Sequence, residues 1–124
     1  MTDENRQLLI DAGMNYSSAL ERFMNNESML EKFLLKFRKD LSYSKMLEAI
    51  ENKDLDLAFS SAHSLKGVAS NFSFDELTKA ASDITEAFRA GDMEDGIAKL
   101  PEVKAAYDKV DNAIRTIYKI PEGK

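Results

Sequence analysis

The stretch SSAHSLKGVASNF, Ser60 to Phe72, holds the only histidine of the chain, His63, with Lys66 three residues on and Gly67 four on. An imidazole can serve as base, metal ligand or nucleophile, and a cation one helical turn away suits a reaction that places negative charge on the ring. Gly67 needs a different explanation. A glycine inside a helix costs about 1 kcal/mol relative to alanine, so something must favour the missing side chain. Bare backbone one turn from an exposed imidazole lets another macromolecule bring a reactive group close to the ring.

The surrounding pattern says where that ring points. At about 100° per residue, Leu55, Ala58, Ala62, Leu65, Ala69 and Phe72 gather on one side of a helix that Asp54 would cap, and His63 falls roughly 130° from the centre of that arc. It is expected to face solvent or the edge of the fold. Lys66, Gly67 and Ser70 share its face, and Asp56, Phe59 and Ser60 precede it by one or two turns. Phe59 reads equally well as a rim residue packed on a neighbouring helix.

Several chemistries are excluded. A carboxylate metal enzyme in a helical bundle needs Glu-x-x-His on paired helices, but Ser60 stands three residues before His63 and there is no second histidine. With no cysteine there is no thiolate site and no disulfide framework. Ser64 points to another face, so no nucleophile triad forms around His63, and neither G-x-x-x-x-G-K-[ST] nor a protein-kinase glycine loop occurs. The net charge of -5 opposes binding to nucleic acid, which needs a clustered excess of Lys and Arg. No apolar run approaches the roughly 18 to 20 residues of a membrane span. The opening MTDENRQLLI is acidic and polar, unlike a secretion signal, and the cytoplasm is the expected compartment. Charge runs such as EKFLLKFRKD read as solvated helix faces, and the six methionines as core filler.

The positioning elements are helical. Only five glycines and two prolines interrupt the chain, and apolar residues recur at steps of three and four. The expected fold is all-α: one domain over residues 1–124, an antiparallel up-and-down four-helix bundle with its core at about 26–118. A short helical N-terminal extension at about 5–24 would break at Gly13. Asn26 would cap a stripe of Leu30, Phe33, Leu34, Phe37 and Leu41, and a kink or break near Asp40 to Ser44 would separate it from Tyr43, Met46, Leu47 and Ile50. Ser73 and Glu76 have the spacing of a capping box, with Phe72 and Leu77 as its hydrophobic staple. The helix so begun buries Leu77, Ala80, Ala81, Ile84 and Phe88 and stops at Gly91. Ile97, Leu100, Val103, Tyr107, Val110, Ile114 and Ile117 form the last seam, with Pro101 as a kink or a start.

The run AHSLKGVASNFSFDELTKAASDITEAFRAGD resembles the histidine-containing phosphotransfer (HPt) domain of multistep two-component phosphorelays, whose signature is His-x-Leu-Lys-Gly followed by small residues. AGMNYSSALERFMNNESMLEKFLLKF, Ala12 to Phe37, is similar to the N-terminal segment of that family. The resemblance implies that His63 accepts a phosphoryl group from a receiver-domain phospho-aspartate and passes it to a response-regulator aspartate. Lys66 would neutralise phosphoryl oxygens and Gly67 would admit the receiver's loops. Docking would use Asp56, Phe59, Ser60, His63, Gly67 and Ser70, with apolar residues such as Met14 beside them. The family has no autokinase activity and binds no nucleotide, so this would be a phosphoryl carrier rather than an enzyme. No metal or cofactor of its own is expected; Mg²⁺ would sit on the partner receiver. Partners would be receiver domains and a hybrid sensor kinase, with no nucleic acid and no membrane, and the chain is expected to be a monomer. Met1 reads as a native start, which favours a free-standing protein. Ser70 and Ser73 stand where many members have glycine or alanine. Many members also place a Glu or Gln on the next helix to orient the imidazole; Thr85, with Glu86 adjacent, aligns there, and Glu86 or a water is the candidate substitute. The alternative is a helical interaction module that docks on receivers without carrying phosphate.

Overall fold

Five helices of the computed structural model, which describes residues 1–121, start at a short polar side chain. Thr2, Asn15, Asn26, Asp54 and Asp92 each accept a hydrogen bond from the backbone N–H three residues on, satisfying a donor that the first turn leaves without a partner. In chain order the helices are α1 (Asp3–Asp11), α2 (Tyr16–Arg22), α3 (Glu27–Phe37), α4 (Ser42–Glu51), α5 (Leu55–Asn71), α6 (Asp75–Arg89) and α7 (Met93–Tyr118). The all-helical expectation holds; among the described residues the only β pairing is an isolated antiparallel bridge between Met14 and Phe74. The expected domain runs to residue 124, and its last three residues lie outside the described ones.

The N-terminal break falls where Gly13 adopts φ +99°, a conformation open to glycine at no steric cost. The break expected near Asp40 to Ser44 lies between Phe37 and Ser42, where the Asp40 carboxylate accepts from the Ser42 N–H at 2.9 Å. Because α3 ends at Phe37, Leu41 loses the phase of its stripe and is 59% exposed, while Leu30, Leu34 and Phe37 are buried. Phe33 also leaves the core, tilting against Phe23 at 5.4 Å under the Lys36 ammonium. Pro101 lies inside α7 rather than at its start, and Ile97 drops out of the seam into solvent.

Consecutive helices pack on one another, α4 on α5, α5 on α6 and α6 on α7, and α1 lies against α7. Gly96 lets α7 approach α6 closely: a Cβ there would lie 2.1 Å from the Phe88 ring. One buried cluster runs from Leu9 to Ile114 and includes Leu9, Ala12, Met14 and Ala19. The N-terminal segment is therefore part of the core, not an appendage to it.

The capping box expected at Ser73 does not form. Ser73 is buried with φ +52°, its carbonyl accepts from the Asn15 N–H at 2.8 Å, and its hydroxyl pairs with that of Ser18 at 2.9 Å. Helix α6 starts one residue later, after Phe74, which offers no capping oxygen. The Asp75 N–H instead donates to the Gly13 carbonyl at 2.9 Å, so backbone from the N-terminal segment satisfies the first turn. Glu76 is thereby freed to pair with Lys109 at 2.9 Å. Phe72 packs edge-on against Phe37 and tilted against Phe23 and Phe74, as part of an aromatic cluster.

The other end of the N-terminal segment is held electrostatically. Glu27 accepts from the Met1 ammonium at 2.8 Å, from the Tyr16 hydroxyl at 2.6 Å and from Arg6 Nε at 3.2 Å. The ammonium bond, then the Tyr16 bond and Arg6, pull the Glu27 carboxyl down to about 2 from 4.5. A depressed folded value means that Glu27 adds stability above about pH 4.5 and loses it as the pH falls toward about 2. Glu27→Gln should therefore lower Tm at neutral pH and flatten the acid limb of a Tm-against-pH curve. An unchanged limb would sink that assignment.

Candidate functional site

Helix α5 buries Ala58, Ala62, Leu65 and Ala69 and turns His63 outward, as the arc of apolar residues requires. From His63, about 100° per residue places Ser60 and Gly67 on one flank and Phe59, Lys66 and Ser70 on the other. The relief of this face is low. The Ser60 hydroxyl folds back to donate to the Leu57 carbonyl at 3.2 Å, and the Ser70 hydroxyl to the Gly67 carbonyl at 3.0 Å. Gly67 is exposed, and a Cβ placed on it would meet nothing within 4 Å. Among the described residues nothing requires glycine there. Asp56 is exposed in the first turn of the same helix.

Three of the expected neighbours take other places. Met14 is 3% exposed and belongs to the core, because its backbone bridges to Phe74 and turns the side chain inward. The apolar edge beside the α5 face comes instead from Phe23 and Phe33, which with Arg22, Asn71 and Phe72 line a shallow groove past the end of the face. Thr85 is buried, and its hydroxyl donates to the Ala81 carbonyl at 2.6 Å, one turn back on its own helix. Glu86 is exposed and pairs with Arg89 at 3.3 Å. Among the described residues no hydrogen bond reaches the imidazole from either position.

Phe59 does reach it. The Phe59 and His63 rings stack with centroids 6.0 Å apart and planes 18° apart. The Arg89 guanidinium of α6 lies over the same phenyl ring, 4.9 Å from its centroid. Sequence reasoning missed Arg89. Its pairing with Phe59 depends on the register of α6 against α5, and the only local signal was the Glu86–Arg89 spacing. Among the described residues no group of three or more His, Asp and Glu side chains could hold a metal ion, and no helix is long and apolar enough to cross a membrane.

The face thus presents one nucleophile, one cation a turn away and unobstructed backbone beside them. A phosphoryl-accepting step needs in-line geometry and more charge neutralisation than this, which a partner would supply. A family model described as the Hpt domain matches residues 28–113. No curated protein and no solved structure matches the chain.

Proposed function

The chain belongs to the Hpt domain family, whose members are phosphocarriers of two-component signalling that engage receiver domains, and on that premise we propose that His63 is the phosphoryl carrier of a multistep relay. A lone pair on an imidazole nitrogen forms the P–N bond while the P–O bond to a receiver aspartate breaks, and the electron pair stays on the carboxylate. The reverse exchange delivers the group to a second receiver. Lys66 neutralises phosphoryl oxygens, and Mg²⁺ stays on the receiver. A hybrid sensor kinase supplies the first receiver. The chain itself makes no phosphoryl group from nucleotide, and it works as a monomer in the cytoplasm.

The observation that carries this reading is the empty space at Gly67. A helix-weakening residue that no contact among the described residues demands is explained by close approach from outside, one turn from the nucleophile. Helices α4 to α7 form the frame, an antiparallel up-and-down four-helix bundle. Support comes from the packing of successive helices across connections only three residues long, 52–54, 72–74 and 90–92. The test is incubation with a phosphorylated receiver domain and Mg²⁺. Acid-labile, alkali-stable label on the protein is expected. Binding to a panel of phosphorylated receivers with no label on the protein would replace the carrier by a docking module.

A further inference from the structure

An imidazole that must meet a phosphoryl group in line needs its plane fixed, and a ring free to turn about its side-chain torsions loses much of the gain from orientation. Among the described residues neither Thr85 nor Glu86 hydrogen-bonds the ring. Thr85 donates its hydroxyl to Ala81, and Glu86 pairs with Arg89. Among the described residues the ring contact to His63 is the one from Phe59.

We propose that Phe59 is the positioning residue of His63, holding the imidazole plane by stacking where a hydrogen-bond acceptor would otherwise hold it. Resting on the carrier reading above, this assigns the orienting device of the same site. Phe59 is suited to it because its ring is itself fixed. It is half-buried against the core on α5, and the Arg89 guanidinium lies over it. Glu86 in turn steadies Arg89 through an ion pair at i to i+3. The chain of contacts Glu86, Arg89, Phe59, His63 thus couples α6 to the imidazole without a hydrogen bond to the ring. An aromatic stack restricts tilt without engaging either ring nitrogen, leaving one to attack and one to face solvent or the receiver. Lys66 lies one turn beyond His63 on the same flank as Phe59, so a ring held parallel to Phe59 keeps a fixed relation to that cation.

The experiment has two arms on the full chain. In the unphosphorylated protein, proton NMR of the imidazole should show His63 ring protons displaced by the ring current of Phe59, with direct cross-relaxation between the rings. Phe59→Leu should return those shifts to the values of a free histidine, and Phe59→Tyr should keep them. In the second arm, single-turnover transfer from a saturating phosphorylated receiver should slow roughly tenfold in Phe59→Leu and recover in Phe59→Tyr. Labelling by phosphoramidate, a small donor that can approach from any side, should change less than about twofold, since orientation there is not imposed.

Unshifted imidazole protons in the wild type would overturn the proposal. So would a wild-type rate in Phe59→Leu at saturation, and so would an effect confined to receiver affinity, which would make Phe59 a docking contact. Failure of the wild type to take label would sink the carrier reading instead, and the NMR arm would still decide the ring's orientation. Tm of each variant, with transfer measured well below it, separates lost folding from lost positioning.

Discussion

His63→Gln is expected to take up no label from a phosphorylated receiver while unfolding within about 1 kcal/mol of the wild type. Glutamine offers no nucleophilic nitrogen, so the P–N bond cannot form, and no other histidine exists to replace it. The fold should barely notice. His63 is exposed, lies off the buried arc of α5 and among the described residues makes one ring contact, to Phe59. Phosphoryl uptake by quench-flow and unfolding by urea on the same preparations give the two readings. A loss of several kcal/mol would mean that the ring is structural, and label on the mutant would move the acceptor elsewhere.

Gly67→Gln should separate stability from function in the opposite sense. The helix interior gains a better helix former, worth about 0.5 kcal/mol, and a Cβ at position 67 meets nothing within 4 Å. The same side chain then stands where a receiver must approach. Transfer should fall on the order of 100-fold, the scale on which misplacing reacting groups by about an ångström acts. Gly67→Ala, adding a single methyl, should fall between the two. A more stable protein with wild-type transfer would remove the close-approach role.

What could be read in the sequence was local. Asn26, Asp54 and Gly91 act on residues within a turn of themselves, and each does what its type and position imply. The Gly91 and Asp92 N–H groups close the end of α6 onto the Phe88 and Ala87 carbonyls. The outward turn of His63 followed from its own helix for the same reason. Ser73 and Met14 were misread because their partners lie far away in the chain: Asn15 and Ser18 for one, Phe74 for the other. A serine three residues before a glutamate has the right spacing, yet contact with a distant backbone outcompetes it. Phe59 is intermediate. Its place on the His63 face was legible, whereas the guanidinium over it required the register between α5 and α6.

The bridge between Met14 and Phe74 joins segments half the chain apart, and it bears on how the protein is made. Helix α6 carries no side-chain cap of its own, since Phe74 has no capping oxygen and the Asp75 N–H relies on Gly13. Synthesis runs from the N-terminus, so the stretch Gly13 to Asn15 has already left the ribosome when the turn after α5 emerges. The earlier segment is then already available to the first residue of the later helix, and closing that long loop costs chain entropy that a local side-chain cap would not.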